Sequence, residues 1–143
     1  LGLEPFSKKF GIKYFEKFVQ NRKKNIKNLL MDQTFVSGLG NIYANEALFA
    51  SMIKPLRTCD NLNKNEIKKL ILNIKKILKF AISKGGSSIK DFQNTFGKSG
   101  NFQQFFHVYG RKNKKCSRIS CVGKIKKITI SNRSTFYCNK CQN

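Results

Sequence analysis

The C-terminal part of the sequence contains two pairs of cysteines, and their spacing is typical of a metal site. Cys116 and Cys121 form one pair, sixteen residues follow, and Cys138 and Cys141 form the second pair. Zn²⁺ takes tetrahedral sets of soft ligands, which two short Cys–Cys pairs joined by a hairpin can provide. Because every ligand would be a cysteine, the pattern predicts one structural Zn²⁺ with no open coordination position. Redox-active cysteines or a chance cluster are the alternatives.

Two short strands should connect these pairs. Residues 125–130 and 135–137 alternate between apolar and polar types, and residues 131–134 form a predicted hairpin tip. About thirty residues cannot build a sufficient core alone, so the metal should stabilise the fold of this tail. The tip would present Arg133, whose guanidinium suits a phosphate; a solvated turn residue is the alternative. His107, the only histidine, is expected to be structural.

A second informative stretch runs from Asp32 to Phe49. It predicts the end of one helix, a glycine-containing turn over residues 37–40 and a second helix with Asn41 as its N-cap. The first turn of a helix leaves backbone N–H groups without intrahelical partners and attracts anions, and nearby glycines allow a close approach. An ordinary pair of helices with a plain capping Asn41 is the alternative.

The charge of the chain points to a polyanionic partner. Lys and Arg number 29 against seven Asp and Glu, giving a formal net charge of +22, and this balance favours nucleic acid. Part of the lysine excess is attributable to the codon bias of an AT-rich genome, and a merely soluble basic protein is the alternative. Arg22 and Lys23, in a basic turn just before a predicted helix, are further candidates for phosphate contact or belong to a solvated loop.

The rest of the chain predicts a mainly α fold. Helical periodicity covers residues 12–20, 26–31 and 66–84, with Asn63 or Asn65 as the cap of the longest helix and Gly85–Gly86 at its end. A shorter helix is predicted over residues 88–96. A glycine-bracketed polar loop follows at 97–105. We expect one domain over residues 1–107 and a zinc-binding β-hairpin over 108–143.

Other features bear on compartment and catalysis. The sequence shows no signal peptide or apolar run long enough to span a membrane, and its cysteines suit a reducing compartment, so a cytoplasmic protein is predicted. There is no His–carboxylate pair, nucleotide-binding glycine loop or cysteine with a base, so no self-sufficient active site is expected. The chain begins with Leu1, which suggests that an upstream part is missing.

Three stretches carry a family resemblance. They read IKNLLMDQTFVSGLGNIYANEALF, GGSSIKDFQNTFGKSGNFQQFFHVYGR and, at the end of the tail, RSTFYCNKCQ. Together they extend over essentially the whole chain and resemble formamidopyrimidine-DNA glycosylase. The resemblance implies a helix–two-turn–helix domain followed by a zinc finger. These form the C-terminal half of a bifunctional glycosylase and AP lyase that excises oxidised purines (8-oxoguanine, formamidopyrimidines) in base-excision repair.

The resemblance also implies roles for individual residues. Asn41 would bind the DNA backbone beside the lesion, assisted by Arg22 or Lys23. Arg133 would contact phosphate and donate a proton in the δ-elimination step. The segment GKSGNFQQF resembles the base-capping loop, which favours this enzyme over endonuclease VIII. The residues of that loop assigned to the site are Lys98, Gly100 and Phe102, and the zinc ligands are Cys116, Cys121, Cys138 and Cys141.

The expected partners are double-stranded DNA containing an oxidised purine or abasic site and the enzyme's own N-terminal catalytic domain, in a monomer. Two departures matter. The first cysteine pair has four intervening residues where the family usually has two. The family's nucleophile is an N-terminal proline; Leu1 is not that proline and Pro5 is not at a free terminus, so this chain alone is expected to be inactive. A stand-alone, non-enzymatic zinc-ribbon protein that binds DNA or RNA, or a degenerate remnant with only a structural role, are the alternatives.

Overall fold

The computed structural model describes residues 1–83 and 105–143, which form a helical domain and a two-stranded antiparallel hairpin. The mainly α fold with a terminal hairpin is therefore confirmed. The elements are α1 (Ile12–Val19), α2 (Ile26–Met31), α3 (Asn41–Ala50), a 3-10 turn (Cys59–Asn61), α4 (Lys64–Ser83), β1 (Ile125–Ile130) and β2 (Arg133–Cys138).

The longest helix, α4, closes the helical core. Most of its apolar residues at helical spacing are buried, as the periodicity predicts, but Ile82 in the last turn is exposed. Asn63 is the cap: its Oδ1 accepts the N–H of Glu66 at 2.8 Å, and Glu66 Oε1 accepts the N–H of Asn63 at 3.0 Å. This reciprocal capping box starts the helix at Lys64, two residues before the predicted start. The predicted glycine stop and the helix over 88–96 lie outside the described residues.

Two consecutive turns connect α2 and α3. The first covers residues 33–35 and the second includes Gly38, whose φ of +84° is a conformation that glycine adopts without strain. The N-cap of α3 is Gly40, so the prediction of Asn41 as the cap is wrong. Asn41 is instead the first helical residue, and its side chain donates to a carbonyl of the hairpin, Ser134 O, at 3.0 Å.

The hairpin has a tighter turn than the sequence suggests. Ile130 pairs with Arg133, leaving only Ser131 and Asn132 in the turn, with φ angles of 49° and 64°. Two left-handed residues match the turn type that two-residue hairpins favour. Arg133 therefore begins β2 instead of lying within a four-residue tip.

The core has two parts, and α3 contributes to both. Most buried apolar side chains of the four helices form the larger cluster, which includes Phe106. A smaller cluster joins the last turn of α3 to the hairpin through Phe49, Val108, Cys116, Ile125, Phe136 and Cys138. Because one helix belongs to both clusters, the hairpin is positioned directly by α3. None of the helices in the described ranges combines the length and apolar character needed to cross a bilayer.

Candidate nucleic-acid interface and metal centre

The four C-terminal cysteines converge on one point. Their sulfur atoms all lie within 4.8 Å of one another, with 3.8 Å between Cys116 and Cys141 and 3.6 Å between Cys121 and Cys138. A tetrahedron with Zn–S bonds of about 2.3 Å has S–S edges of about 3.8 Å. All four are free thiols, so no disulfide competes for the sulfurs. The donor set fits a tetrahedral thiophilic metal.

Backbone groups favour ionised sulfur at Cys138, whereas burial, followed by the neighbouring Cys138 thiol, raises the pKa of Cys141 to about 12. Burial opposes ionisation of the Cys138 thiol, but N–H groups of Cys141 and Lys140 point at it, and the pKa of Cys138 falls to about 7. Gly123 donates its own N–H to Cys121 Sγ at 3.4 Å. A Cβ at Gly123 would lie 2.5 Å from Cys138 Sγ, so the backbone packs against the centre where only glycine fits.

Asn45 holds strand β2 against α3. Its side chain is fully buried, its Oδ1 accepts the N–H of Phe136 at 2.7 Å, and its Nδ2 donates to the carbonyl of Asn41 at 2.8 Å. The same Nδ2 lies 3.4 Å from the carbonyl of Ser134. One amide group therefore satisfies backbone groups of both elements, which sets the position of the hairpin on the helix.

Glu46, the next residue, anchors the segment that leads into the cysteine tail. Its carboxylate accepts the backbone N–H groups of His107, Val108 and Tyr109 at 2.7, 3.0 and 2.9 Å. Burial raises the pKa of Glu46, and the three N–H donors oppose that rise. Glu46 therefore has a specific structural role, which is to join α3 to residues 107–109.

Asn41 and Arg133 are brought together by the hairpin. Asn41 donates to the carbonyl of Ser134, the residue after Arg133. The Arg133 side chain is exposed, and within the two described ranges its guanidinium has no hydrogen-bond or ion-pair partner. The first residue of α3 thus contacts the residue next to Arg133 in the chain, and a helix N-terminus and an unpaired guanidinium both attract anions.

A buried lysine lies beneath this pair. Lys27 of α2 is only 1% exposed and donates to Thr135 Oγ1 at 2.7 Å, while Thr135 in turn donates to the carbonyl of Arg133. Burial, and then the positive charge of Arg133, lower the pKa of Lys27 to about 8. Lys27 is therefore a second cationic group, besides Arg133, that lies next to this surface.

The other predicted contacts are placed differently. Lys23 is exposed but forms an ion pair with Asp60 at 2.7 Å, and Arg22 lies over the ring of Phe18 at 5.4 Å. Neither has a recorded contact with Asn41 or Arg133 among the described residues, and their role in DNA binding stays a prediction. Lys98, Gly100 and Phe102 lie outside the described residues, so the base-capping loop also stays a prediction.

The helical part of the chain matches a known protein family. The family model described as "Formamidopyrimidine-DNA glycosylase H2TH domain" matches residues 1–93. The chain belongs to this family. The match includes α1 to α4 and the two turns. The family resemblance of the sequence motifs is therefore confirmed.

Curated relatives extend the glycosylase likeness to the cysteine tail. The chain is 46% identical over 143 residues to the formamidopyrimidine-DNA glycosylase of Wolbachia pipientis subsp. Culex pipiens, covering 100% of this chain and 52% of the relative. It is 44% identical over 142 residues to that of Prochlorococcus marinus subsp. pastoris, covering 99% and 48%. The chain therefore spans about half the length of the curated relatives it matches.

Solved glycosylase structures share the fold. The Lactococcus lactis formamidopyrimidine-DNA glycosylase, non-covalently bound to DNA containing an AP site, superposes with a TM-score of 0.85 at 37% identity. That match covers 100% of this chain and 50% of the solved one. A MutM complex with DNA containing carbocyclic 8-oxo-G gives a TM-score of 0.83 at 38% identity, with 100% and 50% coverage.

Several residues of the site were not found from sequence. Lys27, Asn45 and Thr135 act through contacts between segments about 90 to 108 residues apart, and single-sequence periodicity carries no signal for such pairs. Asn45 lies four residues after Asn41, on the same helical face, and this spacing was the one available hint. Arg118 was also missed, because it lies within the widened cysteine pair.

Proposed function

We propose that this chain is the DNA-binding, zinc-containing part of a formamidopyrimidine-DNA glycosylase and AP lyase of base-excision repair. The observation that carries the proposal is the hydrogen bond from Asn41, at the start of α3, to the carbonyl of Ser134, the residue next to Arg133. The partner is double-stranded DNA containing an oxidised purine (8-oxoguanine, formamidopyrimidine) or an abasic site. The relatives solved with AP-site and 8-oxo-G DNA support this choice of partner.

The chain's own residues would hold the DNA backbone. The first turn of α3 has backbone N–H groups without intrahelical partners, and Asn41 adds a side-chain amide at the same place. Arg133 would make the bidentate phosphate contact that a guanidinium allows, and it would also be the catalytic residue of this chain, as the proton donor in strand cleavage. Arg22 or Lys23 would assist. Lys23 forms an ion pair with Asp60, so a phosphate would compete with that carboxylate for the Lys23 ammonium.

The metal would be one structural Zn²⁺ held by Cys116, Cys121, Cys138 and Cys141. The thiol donor set and the S–S distances of 3.6 and 3.8 Å fit this ion. When bound, Zn²⁺ supplies folding free energy to a tail whose own core is small. The chain divides functionally near residue 107 in this proposal, where the buried side chains pass from the helical cluster at Phe106 to the hairpin cluster at Val108.

A DNA titration tests this proposal. The 143-residue protein is added, at several salt concentrations, to duplex DNA that contains a stable abasic-site analogue. Fluorescence anisotropy should give a Kd on the order of 10⁻⁴–10⁻⁶ M at physiological salt, with a log–log slope of about −4 to −5. This slope corresponds to roughly four to six neutralised phosphates. A slope near zero would overturn the DNA proposal.

The polypeptide of these 143 residues should not perform the chemistry by itself. In base excision of this kind an amine attacks the deoxyribose of the flipped nucleotide, and a Schiff base follows. The family's amine nucleophile is an N-terminal proline, which neither Leu1 nor Pro5 matches, so borohydride treatment with abasic-site DNA should trap no covalent adduct. An abundant adduct would show that one of the lysines serves as the nucleophile and would contradict this part of the proposal.

A further inference from the structure

Arg118 lies between the first two cysteines and connects the metal centre to α3. Its Nη1 donates to Cys141 Sγ at 2.9 Å, and its Nη2 donates to the carbonyl of Phe49 at 3.0 Å. The guanidinium carbon also lies 4.2 Å from the centroid of the Phe49 ring. A single planar group therefore contacts a cysteine sulfur, a helix carbonyl and an aromatic face.

The loop around Arg118 shows that this orientation is specific. Its neighbour Ile119 is 93% exposed and Val122 is 78% exposed, whereas Arg118 is half-buried. Apolar side chains thus face solvent while the charged one turns inward. Burying a cation is costly unless it is paired. The two hydrogen bonds and the ring contact account for the inward orientation.

The chemistry at both ends of the guanidinium is favourable. Four thiolates around a dication carry a net charge of −2, and an adjacent N–H donor spreads that charge and orients the ligand. The carbonyl of Phe49 belongs to the last turn of α3, where the helix dipole favours a cation. A lysine could not span both groups, because its ammonium is a compact point charge without the guanidinium fork.

We propose that Arg118 is a positioning residue that couples the metal centre to the C-terminal end of α3. This inference rests on the proposed zinc centre and goes beyond it. With the metal bound, Cys141 is fixed, so Arg118 is fixed and holds the last turn of α3. The state of the metal is thereby transmitted to the helix whose other end carries Asn41.

The coupling predicts a local change that hydrogen–deuterium exchange can detect. The N–H groups of residues 51–53 donate to carbonyls of α3, each at 3.0 Å. They should exchange slowly in the zinc-loaded protein and faster after the zinc is removed. In Arg118→Gln they should exchange fast even with zinc bound, because the link to Phe49 is lost.

Metal binding gives the second readout. Competition with a chromophoric chelator should show a 10- to 100-fold lower zinc affinity for Arg118→Gln, the usual effect of removing an outer-shell partner. Lys115→Gln is the matched control, since it removes the same charge beside Cys116 from an exposed position. It should change the zinc affinity less than threefold and leave the exchange of residues 51–53 unaltered.

Arg118→Lys keeps the test decisive if Arg118→Gln does not fold. It keeps the charge but cannot bridge both partners, so it should still accelerate exchange at residues 51–53 and weaken zinc binding at least threefold. If wild type binds one zinc and both Arg118 variants match Lys115→Gln, the coupling is refuted and the zinc centre stands. If wild type binds no zinc, the proposed metal centre fails and the inference fails with it.

Discussion

The contact of Asn45 with strand β2 permits a quantitative test of how the hairpin is held. We predict that Asn45→Ala destabilises the protein and loosens the hairpin while leaving the helices formed. The replaced side chain is fully buried, and its Oδ1 is the acceptor for the N–H of Phe136 at 2.7 Å. The substitution leaves that N–H buried and without a partner.

The magnitude follows from the groups that lose their partners. An unpaired buried N–H costs about 1–3 kcal/mol. The carbonyl of Ser134 keeps its bond from Asn41 at 3.0 Å, so it adds little. Alanine is the better helix former by up to about 0.7 kcal/mol, which offsets part of the loss. We expect a net decrease of about 1–2 kcal/mol in the free energy of unfolding.

Urea denaturation of the zinc-loaded protein measures this difference, and amide exchange at Phe136 locates it. Asn73→Ala is the matched control, because Asn73 is also a helical asparagine but is only half-buried. Among the described residues, its side chain donates only to Ser51 Oγ. That control should lose less than about 1 kcal/mol. If Asn45→Ala loses no more than the control and Phe136 remains protected, Asn45 does not hold the hairpin.

Two further predictions concern the charged surface and the cysteine centre. A phosphate held by Arg133 favours the charged form of Lys27, so DNA binding should raise the pKa of Lys27 from its value of about 8. The contribution of Lys27 to affinity is then fully present below pH 8 and is lost as pH rises above it. A rise of one pKa unit predicts a complex that is about sevenfold weaker at pH 9.5 than at pH 7. Lys27→Met should remove most of this pH dependence in anisotropy titrations, and an unchanged profile would argue against it. Gly123→Ala should lower the zinc affinity at least about tenfold, since its Cβ would lie 2.5 Å from Cys138 Sγ. Gly11→Ala, where a Cβ meets nothing within 4 Å, is the control, and equal affinities in the two variants would contradict the packing argument.

Sequence reasoning succeeded where the information is local. The periodicity of residues 12–20 predicted α1 to within one residue, and the prediction of α2 matches Ile26–Met31. Asn63 and Glu66 form the capping box that their three-residue spacing allows. The four cysteines could be assigned to one centre because metal ligand sets require short, paired spacings.

Features that depend on docking could not be predicted in this way. Asn41 was taken as the cap of its helix, but Gly40 occupies the cap position, and the Nδ2 of Asn41 donates instead to a carbonyl 93 residues away. Lys27 looks like an exposed polar position in IKNLLM, yet the hairpin covers it. Burial of such residues is determined by which surfaces pack together, and that information is not contained in a local pattern.

We propose that Arg133 and the N-terminus of α3 bind the same DNA backbone. The salt dependence of DNA binding by Arg133→Gln tests this proposal. Lys124→Gln is the matched control, because Lys124 is exposed at the other end of the hairpin, about 20 Å away along β1. Loss of one phosphate contact should weaken binding to abasic-site duplex and make the log–log salt slope less negative by about 0.9. The control should keep the slope of wild type. If Arg133→Gln keeps the wild-type slope and affinity, Arg133 does not contact the DNA backbone and the proposed interface is wrong.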